Sequence, residues 1–206
     1  MTVVDIKRQK NHTVGLLLSD GALLTLDLDY ASNLCIHKGD TLTAEKIAEY
    51  TAESDFIRAK SRGMWFLSRA DHSEKVLYDK IVKGGIPETA AAQAIARLKE
   101  LGLVDDVRYA MRQAERMSES NISKREAYAK LMQKGIPKQI ANDVLADAEF
   151  DEAEQIAELI NKKYRLKLEN EGGVQKVYAA LIRKGFSYGA VRDALKKYTQ
   201  ESEWAE

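Results

Sequence analysis

Apolar positions change their rhythm about fifty residues into the chain. Before that point they come in short stretches: Val3-Val4-Asp5-Ile6-Lys7 partly alternates, Val14-Gly15-Leu16-Leu17-Leu18 is nearly continuous, and Leu24, Leu26 and Leu28 alternate with Thr25, Asp27 and Asp29. A period of two gives a buried face and a wet face, so these stretches predict strands. Asp20-Gly21 between two of them predicts a tight hairpin with both central residues at positive φ. Val3–Lys7 is expected to add a third strand, because a bare hairpin is only marginally stable in water. Lys38-Gly39-Asp40 reads as a turn, and Thr43 opens a short helix ending near Tyr50.

From Ser54 onward the period is helical. A first helix is expected over about 54–69, with Phe56, Met64 and Leu67 on one side. The cluster Asp71-His72-Ser73-Glu74 supplies N-cap candidates for a second helix, Lys75–Lys83. Tyr78, Ile81 and Val82 in it follow i, i+3, i+4 spacing and share a face. Gly85 ends that helix, since a left-handed residue at the stop costs glycine nothing. Pro87 pre-sets φ for a third helix.

The same phrase then returns twice. Tyr78, Ile81, Val82, Gly85 and Ile86 are matched by Tyr128, Leu131, Met132, Gly135 and Ile136, and by Tyr178, Leu181, Ile182, Gly185 and Phe186. The turn glycines at 85, 135 and 185 set a period of fifty residues. The third helices align under this offset. Ala90, Ile140 and Ala190 fall in register, as do Ala94, Val144 and Ala194, then Ile95, Leu145 and Leu195, then Leu98, Ala148 and Tyr198. Further first helices are expected near 106–118 and 151–164. A fixed period of this size marks an array of supersecondary units, each too small to bury much core alone. The expected fold class is therefore mainly α: three tandem three-helix repeat modules in an elongated array, preceded by a small N-terminal β-hairpin or sheet region with a short helix. The expected divisions are 1–52 for the sheet region and 53–104, 105–150 and 151–206 for the repeats, the last with a C-terminal tail.

Charge narrows the function. The chain carries 32 basic and 32 acidic residues, so it cannot hold nucleic acid by bulk charge; contact must come from a local stripe. Apolar runs reach only about five residues, as around Leu16–Leu18, far short of the ~20 a membrane helix needs. No apolar core follows a basic start, so no secretory signal is expected. Cys35 stands alone, which suits a reduced, cytoplasmic setting.

The side chains offer no catalytic constellation, and neither cofactor nor metal is expected. His12, His37, His72 and Cys35 are scattered, and Lys83-Gly84-Gly85 lacks the flanking residues of a phosphate loop. Asp105-Asp106 reads as a favourable charge at a helix start, and Glu152, Glu154 and Glu158 as a solvated face. The basic residues recur at matching places. Arg58, Lys60, Arg62 and Arg69 lie on or after the first helix; Arg112, Arg116, Lys124 and Arg125 flank the second unit's loop; Lys162, Lys163, Arg165 and Lys167 do so in the third. Lys134 and Lys184 precede turn glycines. They read either as ordinary surface charge or as a ridge that contacts phosphates or carboxylates.

Three sets of phrases stand out together: Leu67-Ser68-Arg69 followed by Ser73-Glu74; the run Leu101-Gly102-Leu103-Val104-Asp105-Asp106-Val107-Arg108-Tyr109-Ala110, which is the most specific; and the turns Lys134-Gly135-Ile136 and Arg183-Lys184-Gly185-Phe186-Ser187. They resemble the RecX family of bacterial regulators of the RecA recombinase. The resemblance covers about residues 54–200, and the N-terminal hairpin is similar to the extension of longer members. Gly84 departs from the pattern, where a lysine is usual. The resemblance implies a non-enzymatic protein, expected as a monomer, that binds RecA and the RecA–single-stranded-DNA filament and restrains ATP hydrolysis and strand exchange in recombinational repair. Weak direct DNA binding belongs to the same expectation. Modules about 25 Å across, three in line, would span on the order of 75 Å, and weak contacts to a repeating target add through effective concentration. The residues expected to make contact are Arg69, Arg112, Arg116, Lys124, Arg125, Lys134, Lys162, Lys163, Arg183 and Lys184, with Gly85, Gly135 and Gly185 as structural turns. A helical-repeat DNA-binding module with no RecA partner, or a scaffold for an unrelated protein, remains open on the residues alone.

Overall fold

The computed structural model describes residues 1–198; the end of the expected 151–206 division, with its C-terminal tail, lies outside the described residues. Backbone proximity divides the chain into two compact units, Met1–Asp105 and Asp106–Glu206.

The first unit opens with an antiparallel sheet of β1 (Val3–Arg8), β2 (Thr13–Leu18) and β3 (Leu23–Asp27), in the order β1-β2-β3. Its inner face buries Val3, Val14, Leu16, Leu18, Leu24 and Leu26 together with Leu42. The β2–β3 turn differs from the expected one. Gly21 has φ of 85° but Asp20 is not left-handed. The Asp20 carboxylate instead accepts from the Ala22 N–H at 3.0 Å, which favours a longer loop closed by one left-handed glycine. Strand β3 also ends earlier than alternation suggests. The Asp27 side chain is buried rather than wet, because it caps a short helix α1 (Leu28–Asn33) by accepting from the Asp29 and Tyr30 N–H groups.

The helix after Thr43 departs from expectation too. The expected stop near Tyr50 is absent: α2 runs unbroken from Ala44 to Leu67. Nothing in Thr51-Ala52-Glu53 breaks a helix, and Thr51 satisfies its hydroxyl on the Ile47 carbonyl at 2.6 Å. Ser54 in the middle of α2 is fully buried and accepts a hydrogen bond from the Asp27 N–H at 2.7 Å, tying sheet to helix. The buried positions of α2 are the small residues Ser54, Ala59 and Gly63, whereas Met64 is about half exposed. A Cβ on Gly63 would lie 2.7 Å from Leu98 Cδ1, so glycine sets how closely the next helices approach. These are α3 (Glu74–Val82), capped by Ser73, and α4 (Glu88–Glu100), which buries Ala90, Ala91, Ala94, Ile95 and Leu98.

The second unit holds two further three-helix groups. The first is α5 (Asp106–Ser118), α6 (Lys124–Gln133) and α7 (Lys138–Asp147), around Ala110, Ala114, Ala127, Leu131, Ile136 and Ala141. The second is α8 (Glu152–Leu159), a π-helical turn (Ile160–Tyr164), α9 (Arg165–Leu168), α10 (Gly173–Arg183) and α11 (Tyr188–Lys196), around Ile156, Ile160, Val177, Leu181, Val191 and Leu195. The expected single helix over 151–164 is thus broken by the π turn and extended by α9. Gly173 admits no larger residue, because its Cβ would sit 1.8 Å from the Lys167 carbonyl oxygen.

Gly85, Gly135 and Gly185 take φ of 80°, 76° and 91°, as expected for helix stops. The residues after two of them reach back to close the helix, Ile136 N–H to Leu131 O at 3.1 Å and Phe186 N–H to Leu181 O at 3.3 Å. The buried stripes lie one residue away from those expected at two places. Leu77, Ala127 and Val177 are buried, while the repeating tyrosines beside them only flank the core. Ala91, Ala141 and Val191 are fully buried, while Ile140 and Ala190 are partly so and Tyr198 is exposed.

Candidate partner-binding surface

The ten basic residues singled out by sequence fall in both units. Arg69 follows α2 in the first unit, its guanidinium 3.8 Å from the centre of the Trp65 ring. In the second unit, Arg112 and Arg116 lie on α5, Lys124 and Arg125 open α6, Lys134 caps it, Lys162 and Lys163 sit in the π turn, and Arg183 and Lys184 end α10.

Three of them converge. Arg125, Arg183 and Lys184 line one cleft of about 730 Å³, with Glu126, Ala129, Ile182 and Gly185. The cause is a close approach of two helix ends. Ser123 caps α6 by accepting from the Glu126 N–H at 3.1 Å, and the same hydroxyl donates to the Lys184 carbonyl at 2.6 Å. Gly185 makes that approach feasible, since a Cβ there would be 2.8 Å from Ser123 Oγ and 2.9 Å from Arg125 Cβ. Glu126 is shared between Lys130 at 3.1 Å and Lys184 at 3.9 Å. Neither Arg125 nor Arg183 is ion-paired among the described residues, so three cations face the single carboxylate of Glu126 and the cleft presents an excess of positive charge.

The other candidates are arranged differently. Lys162 pairs with Glu158 at 2.5 Å; this lysine and a hydrogen bond from Asn121 hold the Glu158 carboxyl below its usual range. Lys163 lies 5.8 Å from the Tyr164 ring centre. Neither these nor Arg112 and Arg116 line the cleft.

Sequence reasoning missed how the two three-helix groups of the second unit are joined. Gln155 is almost fully buried, and its amide donates to the Ser118 and Ser120 carbonyls at 2.8 and 3.0 Å. A glutamine in the acidic run Asp151–Glu158 carries no periodic signal that distinguishes it from a surface residue. Among the described residues no group of His, Cys, Asp and Glu could hold a metal ion, and no helix is long and apolar enough to cross a membrane.

A three-stranded sheet followed by serial three-helix groups defines a helical-repeat protein whose notable chemistry is clustered cations. The family model described as RecX, first three-helix domain, matches residues 59–98, and the model of RecX, third three-helix domain, matches 151–195. Both models are domains of the RecX family, which the first and third three-helix groups of this chain therefore match. It is 29% identical over 192 residues to the regulatory protein RecX of Caldanaerobacter subterraneus subsp. tengcongensis, covering 92% of this chain and 95% of that one. It is 24% identical over 204 residues to that of Clostridium perfringens (strain SM101 / Type A), covering 97% and 96%. A crystal structure of regulatory protein RecX superposes with a TM-score of 0.68 at 23% identity, covering 95% of this chain and 98% of that chain. RecX from Lactobacillus salivarius gives 0.62 at 23%, covering 70% and 97%. At that identity the two structures establish the fold.

Proposed function

We propose that this protein is a non-enzymatic regulator that binds RecA and the RecA–single-stranded-DNA filament and inhibits ATP hydrolysis and strand exchange. The observation that carries this reading is the match of nearly the whole chain to regulatory proteins of the RecX family. The geometry supplies a means. Serial three-helix groups offer repeated surfaces to a repeating target, where modest contacts combine through effective concentration. The cleft of Arg125, Arg183 and Lys184 suits carboxylates on a filament subunit or phosphates of the strand it carries. Arg69, Arg112, Arg116, Lys124, Lys134, Lys162 and Lys163 add to the contact surface. Lodged in the filament groove, the protein blocks the entry of duplex DNA and hinders the subunit motions coupled to nucleotide turnover. Residence among cytoplasmic DNA-repair proteins follows from the same reading.

The test is the rate of single-strand-dependent ATP hydrolysis by RecA as this protein is added. A progressive fall toward a plateau at substoichiometric or equal amounts is expected. An unchanged rate at excess removes the assignment. Binding to bare DNA as tightly as to the filament, with a steep salt dependence, would favour a DNA-binding module without a RecA partner.

A further inference from the structure

The last turns of α2 carry two adjacent aromatic rings surrounded by cations. Trp65 is about half exposed, and its ring meets that of Phe66 edge-on at 4.9 Å between centres. Arg69 lies 3.8 Å from the Trp65 centre, and Arg62 and Lys80 lie 5.5 and 4.8 Å from the Phe66 centre. None of these three cations has a carboxylate partner among the described residues. The neighbouring Arg58 differs, being paired with Asp55 at 3.0 Å.

Trp65 and Arg62 also line an open cleft of about 700 Å³ within the first unit, a volume in the range of small-molecule and nucleotide pockets. Asn11, His12, Asn33 and Ser61 bring hydrogen-bonding groups to it, and Asn11 and His12 are both held at positive φ (59° and 60°). Its two carboxylates are already engaged: Asp27 caps α1, and Asp29 lies 3.1 Å from His12 Nε2.

Gly84 explains how a cation reaches this place. A Cβ there would lie 2.4 Å from Arg62 Cζ, so the bare turn lets the guanidinium lie across it. In the fifty-residue register the equivalent positions are Lys134 and Lys184. The first repeat gives up its own lysine and takes the charge from α2.

We propose that this end of α2 and its cleft bind an unstacked nucleotide of single-stranded DNA, with a base against Trp65 and the flanking phosphates on Arg62 and Arg69. Flat rings interleaved with unpaired guanidinium groups match a polyanion that carries stackable faces. An acidic peptide would satisfy the charge and leave Trp65 without a partner. A duplex keeps its bases stacked on one another and cannot offer one without the energetic cost of extruding it. The site lies wholly within the first unit and does not rest on the RecA reading, so the test omits RecA.

In the full chain with Trp204→Phe, Trp65 is the sole tryptophan. Its fluorescence is expected to be quenched saturably by a short oligothymidylate. Anisotropy of a labelled oligothymidylate is expected to show binding roughly tenfold weaker in Trp65→Ala, the usual loss when one stacking platform is removed. Arg62→Glu should weaken it by at least as much. Gly84→Ala, which displaces the guanidinium while leaving its charge, should weaken it several-fold. Arg62 and Gly84 are both exposed, so these two variants carry the test should Trp65→Ala lower the melting temperature. Unchanged affinity in Arg62→Glu and Gly84→Ala overturns the proposal. So does equal or tighter binding of a duplex of the same length, or displacement of the oligothymidylate by ATP, which would make the cleft a free-nucleotide pocket.

Discussion

The Ser123 hydroxyl joins two helices sixty-one residues apart, accepting from the α6 N-terminus and donating to the Lys184 carbonyl at the end of α10. Ser123 itself is fully buried, and its two partners are partly so. Ser123→Ala should therefore lose a cap and leave a carbonyl unmatched, costing about 1–3 kcal/mol. Urea unfolding of the full chain checks this, with a lower midpoint expected and an unchanged slope.

The turn glycines Gly85 and Gly185 should not respond alike. Gly85 has positive φ, but a Cβ there would meet nothing within 4 Å, so Gly85→Ala should cost only the left-handed penalty of about 1–2 kcal/mol. Gly185→Ala adds a clash with Ser123 and Arg125 and should cost about 1–3 kcal/mol more. Thermal melts of the two variants side by side decide it; equal losses would refute the close approach.

Gly63→Ala should destabilise as well, although alanine is the better helix former by about 1 kcal/mol. The new methyl would meet Leu98 Cδ1 at 2.7 Å and Ile81 Cδ1 at 3.4 Å in a closed core. Overpacking of this kind costs about 1–3 kcal/mol. Gly189→Ala, where a Cβ meets nothing within 4 Å, is the matching control and should be neutral or slightly stabilising.

Reversing Arg125, Arg183 and Lys184 to glutamate should weaken inhibition of RecA ATP hydrolysis at least tenfold while leaving the unfolding temperature nearly unchanged. The triple reversal at Arg112, Arg116 and Lys163, which do not line the cleft, should have a smaller effect. Equal effects would return the contact surface to diffuse charge.

Acid titration should show the link between β1 and the loop before α2. The ammonium groups of Lys38, and then Lys7, hold the Asp5 carboxyl down at about 2 against an ordinary value of 3.8. A carboxyl depressed on folding stabilises fully above its ordinary value and loses that contribution as pH falls through the depressed one. Asp5→Asn should therefore flatten the stability profile between those two values and leave its shape at neutral pH unchanged. Chemical denaturation across that range measures it.

The repeat and its turns are legible in the sequence because they rest on local rules. A glycine fifty residues on from another, each after a Tyr-x-x-Ile/Leu helix, needs no tertiary context to be read as a stop. What sequence does not show follows from burial without hydrophobicity. The inner face of α2 is Ser54, Ala59 and Gly63, small residues that periodicity scores as neutral, so the pattern points to Met64, which is half exposed. Tyr78, Tyr128 and Tyr178 stand out by recurring, yet the core positions beside them vary in type, from Leu77 to Ala127 to Val177. Of the candidate contact residues, the pattern of charge picks out Arg125, Arg183 and Lys184 but cannot join them, because the Ser123–Lys184 bond that does so spans sixty-one residues. Arg62 reaching over Gly84 is hidden for the same reason.

The unbroken course of α2 carries a mechanical consequence. One helix supplies both Ser54, pinned under the sheet, and Gly63, wedged against Leu98. The β-strands and the first helical repeat cannot swivel independently unless this rod snaps between them. Any tilt imposed at one end must be delivered, undamped, to the other.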